Sequence, residues 1–283
     1  MINDFEFEQA GDVADALRIL SENNNVTPLA GGTNVMVNMK RAPLETDLVV
    51  DLSKLKSLAN IELEDGMVHL GAGVTFTQLL DWHPGGAVEG LMKPMCVAFA
   101  GPLIRNLATV GGNVCDASAA ADLSPVLLAL DASIELESTA NGKRSMPIAD
   151  FFHGVRQTAR RPDELMTRVS FEQPSEDERW FYYKLGKRKA DAISLVSVAM
   201  TAKLVDGRVE QARIALGAVA PFPIRASAAE EILKGQTLSE SNIAKAAAAA
   251  AAESRPIDDF RATGEYRRKM VEVLVRRGLN KLA

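Results

Sequence analysis

The order of apolar and polar positions divides the chain into short strands and amphipathic helices that alternate without a fixed rhythm. Residues 12–20, DVADALRIL, place apolar side chains at helical spacing behind an aspartate, which predicts an N-capped helix. VTPLA (26–30) reads as a strand, VMVNMKR (35–41) as a short helix, and LVVDLSKL (48–55) as a buried strand with Asp51 at its exit. IELEDGMVHLGAG (61–73) alternates about Asp65-Gly66, a hairpin signature. Thr75 is placed to cap a helix, FTQLLDW, that stops near His83-Pro84. LMKPMCVAFA (91–100), with Met92 and Met95, has the apolar stripe of a core helix, and LSPVLLAL (123–130) reads as another with Pro125 in its first turn. SIELES, a turn at Asn141-Gly142, SMPIADFF and the strand ELMTRVSFEQP follow. Irregular alternation with hairpins predicts an α+β fold rather than a doubly wound sheet.

A polar break, Pro174-Ser175-Glu176-Asp177-Glu178, predicts a domain boundary. It divides the chain into 1–174, with subdomains of about 1–55 and 56–174, and 178–283. Beyond it, WFYYKLGKRK and AISLVSVAMTAKLV lead to a hairpin turn at Asp206-Gly207 and a further strand. The remainder is helical: SAAEEILKG with Gly235 as C-cap, NIAKAAAAAAAES, and EYRRKMVEVLVRRGLNKL. The alanine run Ala246 to Ala252 needs no more than a helix to explain it.

Composition narrows the chemistry. At 283 residues, 47% hydrophobic and 24% charged, the chain is built like a soluble globular protein, and its net charge of −5 favours no nucleic-acid partner. No apolar run is long enough to span a bilayer, and the acidic start MINDFEFEQAGD lacks a secretory pattern, so a cytoplasmic location is expected. Two cysteines, Cys96 and Cys115, are too few for an iron–sulfur cluster of the usual four thiolates. His69, His83 and His153 are dispersed and show no metal-ligand spacing. No Ser-His-Asp set, paired carboxylates or Walker motif is present, and Gly71-Ala72-Gly73 lacks the remaining features of a Rossmann fingerprint. Neither a metal site nor a catalytic residue is assigned, so any redox cofactor is organic.

Two glycine motifs carry the chemical signal. Ala30-Gly31-Gly32-Thr33-Asn34 follows a strand, and Thr109-Val110-Gly111-Gly112-Asn113 precedes the small-residue run that ends at Asp122. Paired glycines beside Thr and Asn let backbone N–H groups approach an anion without a Cβ in the way. Two such loops suggest one diphosphate held from both sides.

AGGTN, VDLSKL, IRNLATVGGN and ADLSP, in this order, closely resemble the FAD-binding medium subunit of molybdenum hydroxylases, the group of xanthine, carbon monoxide and nicotinate dehydrogenases. The likeness continues through YKLGKRKADAISLVSVAM and EYRRKMVEVLVRR. It implies a two-part FAD-binding domain of the vanillyl-alcohol-oxidase (PCMH) type followed by a smaller α+β domain. It implies non-covalent FAD here, with molybdopterin on a large partner subunit and [2Fe–2S] clusters on a small one. A dimer of heterotrimers passing electrons to an external acceptor is the assembly expected.

Carried onto this sequence, the resemblance places FAD against Leu29, Ala30, Gly31, Gly32, Thr33, Asn34 and Val35. It adds Ile104, Thr109, Gly111, Gly112, Asn113 and Ala117 from the second motif. Asp122 is read either as an acceptor for ribityl hydroxyls or as the N-cap of the helix behind it. Lys184 is read either as a cation beside the isoalloxazine or as a surface lysine of a basic run. Asp191 and Ile193 fall where the family covers one flavin face, although carbon monoxide dehydrogenase-like members tend to carry an aromatic there. Arg105 is read as a phosphate contact or a structural salt bridge. Two other functions are weighed: a stand-alone flavin oxidase or reductase, which would want a flavin-linking His near the glycine motifs, and a non-redox protein that has lost FAD. The cysteine-rich insertion of thioester-reducing members is missing, which disfavours that subgroup.

Overall fold

The computed structural model describes residues 4–41, 46–189 and 191–283; the first three residues of the acidic N-terminal stretch lie outside them. A parallel three-stranded sheet opens the chain. It comprises β1 (Glu6–Gln9), β2 (Val26–Leu29) and β3 (Leu48–Asp51) in the order β1-β3-β2, linked by helices α1 (Val13–Glu22) and α2 (Val35–Arg41). Asp12 caps α1 by accepting the Asp15 N–H at 2.8 Å. The helix buries Ala16, Leu17, Ile19 and Leu20 against Leu48 and Val50. β1 is absent from the apolar pattern because it is an edge strand with all four side chains exposed. Asp51, at the exit of β3, accepts Gln9 Nε2 and the Ser53 N–H, each at 2.8 Å.

The second unit begins with the hairpin β4 (Ile61–Glu64) and β5 (Met67–Gly71), whose turn residues Asp65 and Gly66 both have positive φ. Helices α3 (Phe76–Asp81), α4 (Gly86–Ala98), α5 (Pro102–Arg105), α6 (Val110–Cys115) and α7 (Leu123–Ala129) follow. Thr75 and Gln78 form a reciprocal capping box on α3. The chain then adds β6 (Ser133–Ser138), β7 (Gly142–Pro147), the short ribbon β8 (Phe152–Gly154) and β9 (Gln157–Thr158), and β10 (Leu165–Glu172). The resulting sheet is antiparallel, in the order β4-β5-β10-β6-β7. Phe76, Leu91, Met95, Val110, Leu123 and Val126 fill the core between helices and sheet.

The third unit is an antiparallel sheet of β11 (Arg179–Leu185), β12 (Val196–Val205), β13 (Arg208–Gly217) and β14 (Ile224–Arg225). Helices α8 (Ser227–Leu233), α9 (Glu240–Glu253) and α10 (Gly264–Leu282) cover one face. Ala246, Ala247 and Ala250 are fully buried there, so the alanine run is a tight helix-packing surface. Ala199, Ala215, Trp180 and Tyr182, on the other face, pack into the core of the second unit. The architecture is α+β, and this seam forms one wall of the site.

Candidate functional site

β2 delivers Leu29 and Ala30 to a bend at Gly31 and Gly32, where Gly32 has φ +68°. A Cβ on Gly31 would lie 1.7 Å from the Leu107 carbonyl oxygen, so only glycine lets this loop touch the entry to the second motif. On its far side, Asn34 Nδ2 donates to Asp116 Oδ2 at 2.8 Å. The first loop is thus clasped between Leu107 and Asp116, and the two motifs form one place. The amide N–H groups of Gly31, Gly32, Thr33 and Asn34 donate no hydrogen bond among the described residues. Val35 opens α2 directly behind them.

The second motif corrects the expectation of a matching loop. It is helical: Thr109 is the N-cap of α6, and its Oγ1 accepts the Gly112 N–H at 3.0 Å. The Gly111 N–H donates to the Ala72 carbonyl at 2.7 Å and the Asn113 N–H to the Thr109 carbonyl at 2.9 Å. All three amides are therefore occupied and do not form the bare cradle expected of them. Gly111 serves close packing instead, since a Cβ there would lie 2.8 Å from the Ala72 Cβ. What α6 still presents is the exposed surface of Gly112, the Thr109 hydroxyl hydrogen, and Asn113 Oδ1, which is buried without a partner.

Ile104 stands in α5 beside the exposed Leu103 and Leu107, an apolar rim to the loop. Arg105 makes backbone contacts rather than a salt bridge among the described residues: its Nη1 donates to the carbonyls of Phe99 and Ala100, each at 2.8 Å, and so closes the end of α4. Ala117 is buried with φ +46°, and its carbonyl accepts the Arg156 N–H at 3.3 Å.

Asp122 does not cap α7 with its side chain. Its Oδ2 accepts Lys184 Nζ at 2.7 Å and its Oδ1 accepts the Ser194 hydroxyl at 2.7 Å. Lys184 in turn is no surface residue: its side chain is 6% exposed and its ammonium also donates to the Ala98 carbonyl at 3.0 Å. Burial pushes the Asp122 carboxyl up from the ordinary carboxylate range, against the pull of Lys184 and Ser194. An ammonium has three N–H donors, and two of them are satisfied by these partners. The Tyr182 hydroxyl, on the same strand, is buried without a partner, and its burial raises it well above the usual phenol value.

The wall behind this pair is fastened by Arg267, 2% exposed in α10. It donates to the carbonyls of Leu195 and Ala218 and pairs with Asp259 at 2.8 Å. The Ala218 N–H then donates to the Ala119 carbonyl at 2.7 Å, across the seam. Asp259 is held far below the usual carboxylate range by its bond to Arg261 and by the nearby Arg267. Asp191 and Ile193 are not drawn into the buried network: Asp191 pairs with Arg188 at 3.7 Å and Ile193 is 59% exposed.

Ser194, Asp116, Arg156 and Arg267 escaped sequence reasoning, because each gains its role from a partner distant in sequence. His69 Nδ1 bonds the Ser170 hydroxyl at 2.7 Å and His83 Nδ1 bonds Glu89 at 3.1 Å. Among the described residues no cluster of His, Cys, Asp and Glu could hold a metal. Burial pushes the Cys96 thiol up to about 12 and the Cys115 thiol up to about 11, so neither is held as a thiolate.

Residues 3–173 match the family described as the FAD binding domain in molybdopterin dehydrogenase, and residues 181–282 match the CO dehydrogenase flavoprotein C-terminal domain. The chain is 30% identical over 276 residues to the xanthine dehydrogenase FAD-binding subunit of Escherichia coli O157:H7, covering 96% of this chain and 93% of that one. It is 36% identical over 245 residues to the nicotinate dehydrogenase FAD-subunit of Eubacterium barkeri, covering 84% and 82%. Among solved structures, reconstituted CO dehydrogenase from Oligotropha carboxidovorans superposes with a TM-score of 0.94 at 28% identity, covering 99% of this chain and 98% of that one.

Proposed function

The chain belongs to the FAD-binding medium subunits of the molybdenum hydroxylases, a family of FAD-dependent oxidoreductases, and from that premise we propose that it is the electron-transfer subunit of such a complex. It takes electrons from [2Fe–2S] clusters on a small partner chain and passes them to an external acceptor. Substrate hydroxylation belongs to a molybdopterin-bearing large subunit, in a dimer of heterotrimers. Two cysteines leave this chain without the thiolates for a cluster of its own, which supports that division of labour.

The observation that carries the reading is the run of free amides at Gly31, Gly32, Thr33 and Asn34, clasped against the second motif. These groups suit one side of the FAD diphosphate. Thr109, Gly112 and Asn113 suit its other side through a hydroxyl, an open Cα and an unpartnered side-chain oxygen. Leu29, Ala30, Val35, Ile104, Gly111 and Ala117 supply the walls. When bound, FAD supplies reversible electron transfer. Lys184 offers its third N–H and its charge toward the ring, where a cation favours the reduced, anionic form. Asp122 holds that ammonium in place and keeps lone pairs free for ribityl hydroxyls. Asp191 and Ile193 form an exposed loop over one side.

The division into 1–174 and 178–283 is part of this reading, supported by the gap between β10 and β11 and by the limits of the two family matches. No helix among the described residues is long and apolar enough to cross a membrane, and we read the complex as cytoplasmic. Purification followed by absorbance and acid precipitation tests the proposal. A two-banded flavin spectrum released by acid, with co-purifying chains that contain iron, is the result expected. A colourless protein that takes up no added FAD would overturn it.

A further inference from the structure

We infer that Arg156 is a positioning residue for the diphosphate site: it neutralises Asp116, the carboxylate that holds the free-amide loop in place. This rests on the reading that the amides of Gly31 to Asn34 face the FAD diphosphate. Asp116 is needed there for geometry, because its Oδ2 accepts Asn34 Nδ2 at 2.8 Å and so fixes the far end of the loop. Its charge, however, is of the wrong sign beside a phosphate. Arg156 Nη1 meets the other oxygen of the same carboxylate at 3.3 Å. The guanidinium thus stands two hydrogen bonds and one carboxylate away from Asn34.

The surrounding backbone keeps Arg156 on this carboxylate. Arg156 lies between β8 and β9 at φ +55°, an uncommon conformation for a side-chain-bearing residue. Its N–H donates to the carbonyl of Ala117, itself at φ +46°. Backbone and side chain therefore grip adjacent residues, 116 and 117. As an ion pair with a half-exposed arginine it adds little to stability. Its effect falls on a nearby anion, because a bare Asp116 would repel the ligand across the loop it holds.

FAD titration of apo-protein, followed by quenching of flavin fluorescence, tests this. R156A is expected to bind FAD about five- to thirtyfold more weakly at low salt, from repulsion at an effective dielectric between that of protein surface and water. The deficit is expected to shrink as ionic strength rises, which a purely structural defect would not do. R156K retains most of the affinity. The double variant R156A/D116N restores it, since the amide that replaces the carboxylate still offers an oxygen to Asn34. Wild-type protein that binds no FAD would overturn both the reading and this inference. Wild-type binding with R156A unimpaired, or with D116N giving no rescue, overturns the inference alone.

Discussion

Replacing Asp122 by Ala removes the carboxylate and leaves Lys184, 6% exposed, with only the Ala98 carbonyl. Breaking a buried pair by deleting one partner costs about 3–5 kcal/mol. Against a typical stability of about 5–15 kcal/mol that is a large share. Loss of the Ser194 donor alone, in S194A, strands one carboxylate oxygen and costs about 1–3 kcal/mol. Replacing both charges with apolar residues of similar size, as in D122L/K184M, removes the stranded charge and is expected to cost less than D122A alone. The assay is urea unfolding of FAD-free protein at fixed pH. Trp82 reports on the unit that contains Asp122, and Trp180, carried on β11 and packed into that unit's core, reports on the seam. A cycle built from the single and double variants D122L and K184M should return a coupling energy above about 1 kcal/mol. If D122A shifts the midpoint no more than a surface substitution, about 0.5 kcal/mol, the pair is not a buried unit in solution. The pair is equally refuted if the D122L/K184M loss equals the sum of its two single losses.

Three further outcomes follow from the geometry. G31A drives a methyl group into the Leu107 carbonyl and should cost about 1–3 kcal/mol together with FAD affinity, whereas G112A meets only Thr109 Oγ1, at 3.0 Å, and should fold normally while losing affinity if a ligand approaches that surface; unfolding midpoints and FAD titration separate the two. Glu164 is held below the usual carboxylate range, first by its bonds to Arg144, so its contribution is complete above the unfolded value of about 4.3 and is lost as pH falls through the lower folded value; E164Q should weaken the protein at neutral pH and flatten this acid slope in pH-dependent unfolding. Cys96, fully buried, should react with a thiol reagent at pH 8 only after denaturant is added, and rapid labelling of Cys96 in the native protein would contradict its placement.

Much of the fold is legible in the sequence because its signals are local. Asp65-Gly66 and Asp206-Gly207 sit at the turns they announce, Thr75 caps its helix, and Gly235 follows α8 with positive φ. The second glycine motif misleads because paired glycines lower helix propensity, while the Thr109 cap and the approach of the Ala72 carbonyl override it. The role of Lys184 is hidden for a different reason. Its basic neighbours suggest solvent, but strand pairing points it into the seam, toward a carboxylate 62 residues away. Ser194 and Arg267 follow the same rule, since nothing in their local sequence distinguishes them from ordinary polar positions.

The fastening of the seam by Arg267 sets a timetable for cofactor capture. A ribosome releases the glycine motifs and Asp122 long before Lys184 and Ser194, and α10 later still. Arg267 of α10 secures Leu195, beside Ser194, and Ala218, which reaches Ala119. A nascent chain can therefore form the amide loop early, yet the wall that carries Lys184 and Ser194 is fastened only after synthesis has passed α10. A chain cut before Gly264 would keep the amide loop and Asp122 but lack the Arg267 bonds that hold Leu195 and Ala218 in place.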